Sequence, residues 1–162
     1  MSEVAILAEH LGTALRRAGL RLITAESCTG GWIAEVVTAV SGSSAWFDRG
    51  FVAYSNEAKH EMLGVAASLI EAHGAVSEPV AAAMAQGACA GRSDLAVVAV
   101  SGVAGPGGGT AAKPVGTVCL ALAIAGDPIR ARTLRFDGDR TEIRRQAVCA
   151  AMSDLIEALE SR

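Results

Sequence analysis

Apolar residues Val4, Leu7, Ala8, Leu11, Ala14, Leu15 and Ala18 recur at steps of three and four, which predicts a helix with one buried face and Gly19 as its stop. Leu20 to Ala25 reads as a short strand, and Glu26 to Gly31 as a tight turn into a second helix bearing Ile33, Val36, Val37 and Val40. Ser41 to Ser44 break that helix, and Phe51 to Tyr54 form the next strand candidate. Ser55 can cap the helix that follows, with Glu57 in its first turn and Gly64 at its end, so Lys59 lies near the helix start. Ser77, Glu78 and Pro79 open an Ala-rich stretch from Val80 to Ala90. Asp94 to Val100 is nearly all apolar, as expected of a central strand covered on both faces. Gly116 to Ala125 and Ile129 to Phe136 are strand-like runs split by Gly126-Asp127-Pro128, which predicts a hairpin. Asp139 and Glu142 make a capping-box start for a last helix with Ile143, Ala147, Ala151, Leu155 and Leu159 on one face.

This alternation predicts an α/β fold, a three-layer α/β/α single domain over residues 1–162 with a mixed, mostly parallel sheet of about five strands. No internal repeat or linker divides the chain. Composition agrees: 51% of residues are hydrophobic but only 4% aromatic, so the interior should be closely packed small side chains. A formal charge of -3 without a Lys/Arg run lacks the cationic footprint of nucleic-acid binding, so no nucleic-acid partner is expected. The four cysteines, Cys28, Cys89, Cys119 and Cys149, have neither CxxC pairing nor metal-like spacing and read as cytosolic thiols. The amphipathic N-terminus is not a signal peptide, and no apolar run approaches the roughly 18 residues of a membrane span, so the expectation is a cytoplasmic protein without membrane association. His10, His60 and His73 stand isolated, and no metal is expected.

Chemistry-bearing residues gather in four segments: the Ser27 turn, the junction from Tyr54 to Lys59, the loop from Ser101 to Thr110, and Arg140 at the last helix. Three of these follow strands, whose ends can converge at one edge of an α/β sheet, where ligands commonly bind. Ser27 precedes a Gly30-Gly31 helix start, where a hydroxyl can be presented beside unpaired backbone amides suited to an oxyanion or phosphate. Helix capping by Ser27 or Thr29 explains the same residues, and Cys28 is a rival nucleophile with no histidine close in sequence. Lys59, near a helix's positive end and in partial burial, would have a lowered pKa and could act as a base, while a solvated surface lysine is the alternative. Tyr54 is either a site residue or a strand residue with an exposed hydroxyl. The glycine-rich loop has neither GxGxxG before a helix nor GxxxxGK[ST], which removes the dinucleotide and Walker readings. Lys113 beyond it is either a phosphate contact or a solvated charge. Arg140, Arg144 and Arg145 open a helix whose dipole opposes cations, so one of them, Arg140 for choice, should meet an anion.

The runs Thr24-Ala25-Glu26-Ser27-Cys28-Thr29-Gly30-Gly31, Trp46 to Lys59, His73 to Glu78, Ser101-Gly102-Val103-Ala104-Gly105-Pro106 and Lys113 to Thr117 together resemble the CinA C-terminal family of nicotinamide mononucleotide deamidases. The resemblance covers nearly the whole chain. It implies hydrolysis of the carboxamide of nicotinamide mononucleotide (NMN), as a stand-alone domain without metal or organic cofactor, and suggests a homodimer. It also matches Ser27 to the nucleophile, Lys59 to the base, and Tyr54, Ser101 and Arg140 to polar positions around the substrate. Thr29, Gly30, Gly31, Gly102 and Gly105 then complete the expected substrate-binding set. A serine amidase for another small amide and a non-catalytic nucleotide-binding module are the competing readings.

Overall fold

A computed structural model describes residues 1–162. The first helix, α1 (Glu3–Ala18), is capped by the Ser2 hydroxyl, which accepts from the Ala5 amide, and is stopped by left-handed Gly19. It is followed by β1 (Arg21–Glu26), α2 (Trp32–Thr38), a 3₁₀ turn (Ser43–Ala45), β2 (Phe47–Val52), α3 (Asn56–Leu63), α4 (Ala67–His73) and α5 (Glu78–Cys89). The chain closes with β3 (Leu95–Gly102), β4 (Thr117–Ile124), β5 (Arg130–Arg135) and α6 (Arg140–Glu160).

The five strands form one sheet in the order β2-β1-β3-β4-β5. β1 pairs parallel with both β2 and β3, while β4 pairs antiparallel with β3 and β5. Four strands therefore point the same way and only β4 opposes them, giving the mixed sheet the pattern predicts. One face packs Leu22, Val98, Val100, Leu120 and Leu122 against α1, α2 and α6. The other face presents Ala25, Ala99, Ala121 and Ala123 to Ala81, Ala85 and Ala88 of α5, with α3 and α4 completing the layer. Alternate residues of each central strand thus enter opposite cores, as strand geometry requires. None of the helices is long and apolar enough to cross a membrane.

Two close approaches fix the helix positions. On α1, a Cβ at Gly12 would lie 2.7 Å from the indole of Trp46, which is fully buried beneath that helix. On α5, a Cβ at Gly87 would lie 1.7 Å from the Leu63 carbonyl oxygen at the end of α3. Only glycine permits these contacts, which outweigh its cost of about 1 kcal/mol in a helix interior.

The structure differs from the sequence pattern in three elements, the first being β3, which carries on through Ser101 and Gly102, expected to open the glycine-rich loop, because both pair with β4. β2 runs over Phe47–Val52 instead of Phe51 to Tyr54, because it is an edge strand whose Asp48 and Arg49 obscure its apolar alternation. Tyr54 lies in the irregular connection between β2 and α3. The short α4 has no side-chain cap and buries only Ile70, so it left no periodic mark in the sequence.

Candidate active site

Parallel β1, β2 and β3 end together, at Glu26, Val52 and Gly102, and the turn after β1 forms the centre of the site. The Ser27 amide donates to the Val100 carbonyl at 2.9 Å and the Gly30 amide returns to the Ser27 carbonyl at 3.0 Å, closing the turn. Gly30 and Gly31 have φ of 62° and 96°, which lets the chain enter α2 directly. The fully buried Glu26 carboxylate accepts from the Thr29 hydroxyl at 2.8 Å and from the Ile33 and Ala34 amides at 2.9 and 3.0 Å. An anion at that helix end is favoured by the dipole. Its occupation leaves those two α2 amides unable to receive a ligand.

Ser27 faces Lys59. Ser55 caps α3 by accepting from the Ala58 amide at 3.0 Å, and the next residue, Lys59, points its side chain inward. Lys59 is 2% exposed, and its Nζ lies 3.0 Å from both Ser27 Oγ and the Tyr54 carbonyl. No carboxylate forms an ion pair with it. Burial penalises the ammonium form and lowers the Lys59 pKa from the usual lysine value, with Cys28 acting weakly in the opposite direction. The neighbouring Cys28 thiol is pushed up to about 11 by its own burial and is therefore neutral near pH 7.

Across the cleft, Ser101 at the end of β3 donates its hydroxyl to the Ala75 carbonyl at 2.7 Å and is buried. Gly102, the last residue of β3, lies opposite Val118 of β4 and lines the cleft. Arg140, the first residue of α6, donates to the Gly105 carbonyl at 2.6 Å and to the Tyr54 hydroxyl at 3.3 Å. It thus ties the glycine-rich loop to the 59%-exposed Tyr54 side chain at the cleft mouth. Gly105 has φ 82°, and a Cβ there would sit 2.5 Å from Val115, so the loop's path needs glycine at this point. Lys113 is bound rather than free, donating to the His73 carbonyl.

The resulting cleft has a volume of about 290 Å³. It brings together Ser27, Tyr54, Lys59, Ser101, Gly102, Gly105 and Arg140, as strand-end convergence predicts. Thr29, Gly30 and Gly31 stand outside its lining: the Thr29 hydroxyl is committed to Glu26, and the two glycines shape the turn. Cys28, Asn56, Ala75 and Val76 line the cleft without having been expected to bind substrate. The supporting role of Glu26 also lay outside the sequence reading, although an acidic residue just before the helix start was a usable capping signal. No three His, Cys, Asp or Glu side chains gather as a metal-ligating group.

Fold and cleft together define a class: an α/β/α domain holding a buried serine-lysine pair at the carboxyl edge of parallel strands, beneath a glycine-rich loop. Within that class, the chain belongs to the CinA family, since the model of the CinA C-terminal domain matches residues 4–159. It is 54% identical over 156 residues to the nicotinamide-nucleotide amidohydrolase PncC of Escherichia coli K12, covering 95% of this chain and 93% of that protein. Identity to PncC of Pseudomonas putida is 51% over 157 residues, covering 97% and 98%. The crystal structure of the competence/damage inducible protein CihA from Agrobacterium tumefaciens superimposes with a TM-score of 0.92 at 45% identity, covering 99% of this chain and 97% of that one.

Proposed function

We propose that residues 1–162 act as a single amidohydrolase domain that converts NMN to nicotinic acid mononucleotide and ammonia, with Ser27 as nucleophile and Lys59 as base. The names of the PncC relatives, which align along nearly all of this chain, support the substrate. The observation that carries the mechanism is the 3.0 Å contact between Lys59 Nζ and Ser27 Oγ, in a buried setting with no carboxylate to hold the lysine charged.

In this reading, neutral Lys59 takes the Ser27 proton as Oγ bonds to the carboxamide carbon, whose oxygen becomes an oxyanion. The Gly102 amide is the candidate donor to that oxygen, because Gly102 lines the cleft and the α2 amides of Ile33 and Ala34 are already held by Glu26. As the tetrahedral species collapses and the C–N bond breaks, the Lys59 ammonium gives its proton to the departing amide nitrogen, which leaves as ammonia. Water then attacks the acyl-Ser27 ester and passes a proton to Lys59, which hands it back to Ser27 as the C–O bond breaks. The pyridine carboxylate leaves. Arg140, at the cleft mouth and with guanidinium donors beyond its Gly105 contact, suits the substrate phosphate together with amides of the glycine-rich loop.

Ammonia release by the purified protein from NMN, nicotinamide, glutamine and asparagine tests this reading. Release from NMN above the other three supports it. Preference for glutamine or asparagine would replace it with a serine amidase for another small amide, and no release from any of them would leave a nucleotide-binding module.

A further inference from the structure

The residue that holds the nucleophile's turn from outside is Arg144. It lies one helical turn beyond Arg140 on α6, so the two project from the same face. Its Nε donates to the Cys28 carbonyl and its Nη2 to the Thr29 carbonyl, both at 3.0 Å. These carbonyls belong to the two residues that directly follow Ser27. The guanidinium also lies 5.3 Å from the centroid of the Trp32 ring, at the start of α2. Its neighbour Arg145 pairs with Glu3 and Glu142, whereas Arg144 has no carboxylate partner and directs its donors to main chain.

We infer that Arg144 is a positioning residue for the amide hydrolysis proposed above, fixing the Ser27 turn against α6 so that Ser27 Oγ stays within reach of Lys59. The turn is held from two sides. Glu26 takes amides and a hydroxyl on the α2 side, while Arg144 takes carbonyls on the α6 side. A planar guanidinium bridges two carbonyls at once; a lysine ammonium is a point charge that satisfies one. Without the bridge the Cys28 carbonyl turns to water, the Thr29 carbonyl keeps only the Trp32 amide, and Ser27 Oγ gains freedom relative to a Lys59 that α3 still holds. Arg144 touches no reacting atom, so its effect is on the rate of acylation and not on affinity for the nucleotide.

The inference rests on Ser27 being the nucleophile, and the experiment separates the two ideas. Arg144→Lys, Arg144→Gln, Arg140→Ala and Ser27→Ala are compared with the native protein by kcat and KM for NMN, by thermal melting, and by the rate at which phenylmethylsulfonyl fluoride labels Ser27. That probe forms a Ser27 O–S bond, expels fluoride and gives up the serine proton, and it carries no phosphate. For folded Arg144→Lys the expected result is kcat lower by about 10- to 100-fold with KM within about twofold, and labelling slowed in parallel. Arg140→Ala should instead raise KM and label at the native rate. Native kcat in Arg144→Lys and Arg144→Gln, or lowered kcat with native labelling, overturns the positioning role while leaving the nucleophile assignment intact. Turnover by Ser27→Ala overturns both.

Discussion

Ser27 and Ser101 end adjacent parallel strands, are both buried and face the same cleft, yet they occupy different chemical settings. The Ser27 hydroxyl donates to the Tyr54 carbonyl at 3.4 Å and also accepts from the Lys59 amine, whose proton affinity burial has lowered, so in the proposed reaction its proton has a destination. The Ser101 hydroxyl already donates to the Ala75 carbonyl at 2.7 Å, an acceptor that holds a hydrogen bond but cannot carry a proton away. In the proposed mechanism, identical side chains at neighbouring strand ends thus divide into a reactive group and a wall-building group. The partner, and not the residue type, decides.

The sharpest way to break this comparison is Ser27→Ala. Turnover of NMN should fall by about 10³-fold or more while the melting temperature stays near native, since the substitution removes one buried hydroxyl. Ammonia release alongside a thermal melt checks it, and an active, folded variant would remove Ser27 from the chemistry.

Lys59→Arg should cost nearly as much, about 10²- to 10³-fold, because a guanidinium keeps the positive charge but does not give up its proton to become a base. The protonation state of Lys59 also sets the expected pH profile. Burial lowers the Lys59 pKa, so the neutral, competent form becomes populated below the ordinary lysine range, and native kcat/KM should rise with pH through that lowered value. Residual activity of Lys59→Arg should lack this rise. Retained turnover at neutral pH would show that position 59 supplies charge alone.

Ser101→Ala is the counterpart of the first substitution and should lose only about tenfold in turnover. Its larger signature is thermal: the Ala75 carbonyl loses a hydrogen bond, a cost of about 1–3 kcal/mol where that group is left unsatisfied. Turnover falling as far as in Ser27→Ala would erase the distinction between the two serines. The smallest effect belongs to Cys28→Ala, whose thiol is held protonated by a pKa of about 11. Activity within about twofold of native is expected, and a dead but folded variant paired with an active Ser27→Ala would transfer the nucleophile to sulfur.

What the sequence made legible is what local periodicity encodes. α1, the buried β3 and the β4–β5 hairpin were readable because their apolar spacing and glycine stops are continuous in the chain. The Ser27 turn and Lys59 were readable because each adjoins a strand end or a helix cap. Thr29 was not: a hydroxyl beside a nucleophile suggests substrate contact, and only the folded turn gives it to Glu26. Arg144 lay further out of reach, since it grips carbonyls more than a hundred residues earlier, and three arginines at one helix start offer no local rule for dividing their roles. Arg140 rested on the dipole argument, which anticipates an anion; what it meets here is a carbonyl and a phenol.

Gly87 lies on α5 beyond the cleft lining, but its lack of a side chain lets the end of α3 come close enough that a Cβ would stand 1.7 Å from the Leu63 oxygen. α3 is also the helix that carries Lys59. In a saturation library scored on catalysis, position 87 should therefore behave as though it were in the active site. Even alanine, a stronger helix former, would push α3 aside and shift Lys59 relative to Ser27. The pattern of tolerated substitutions would then map how Lys59 is held in place as well as which residues line the cleft.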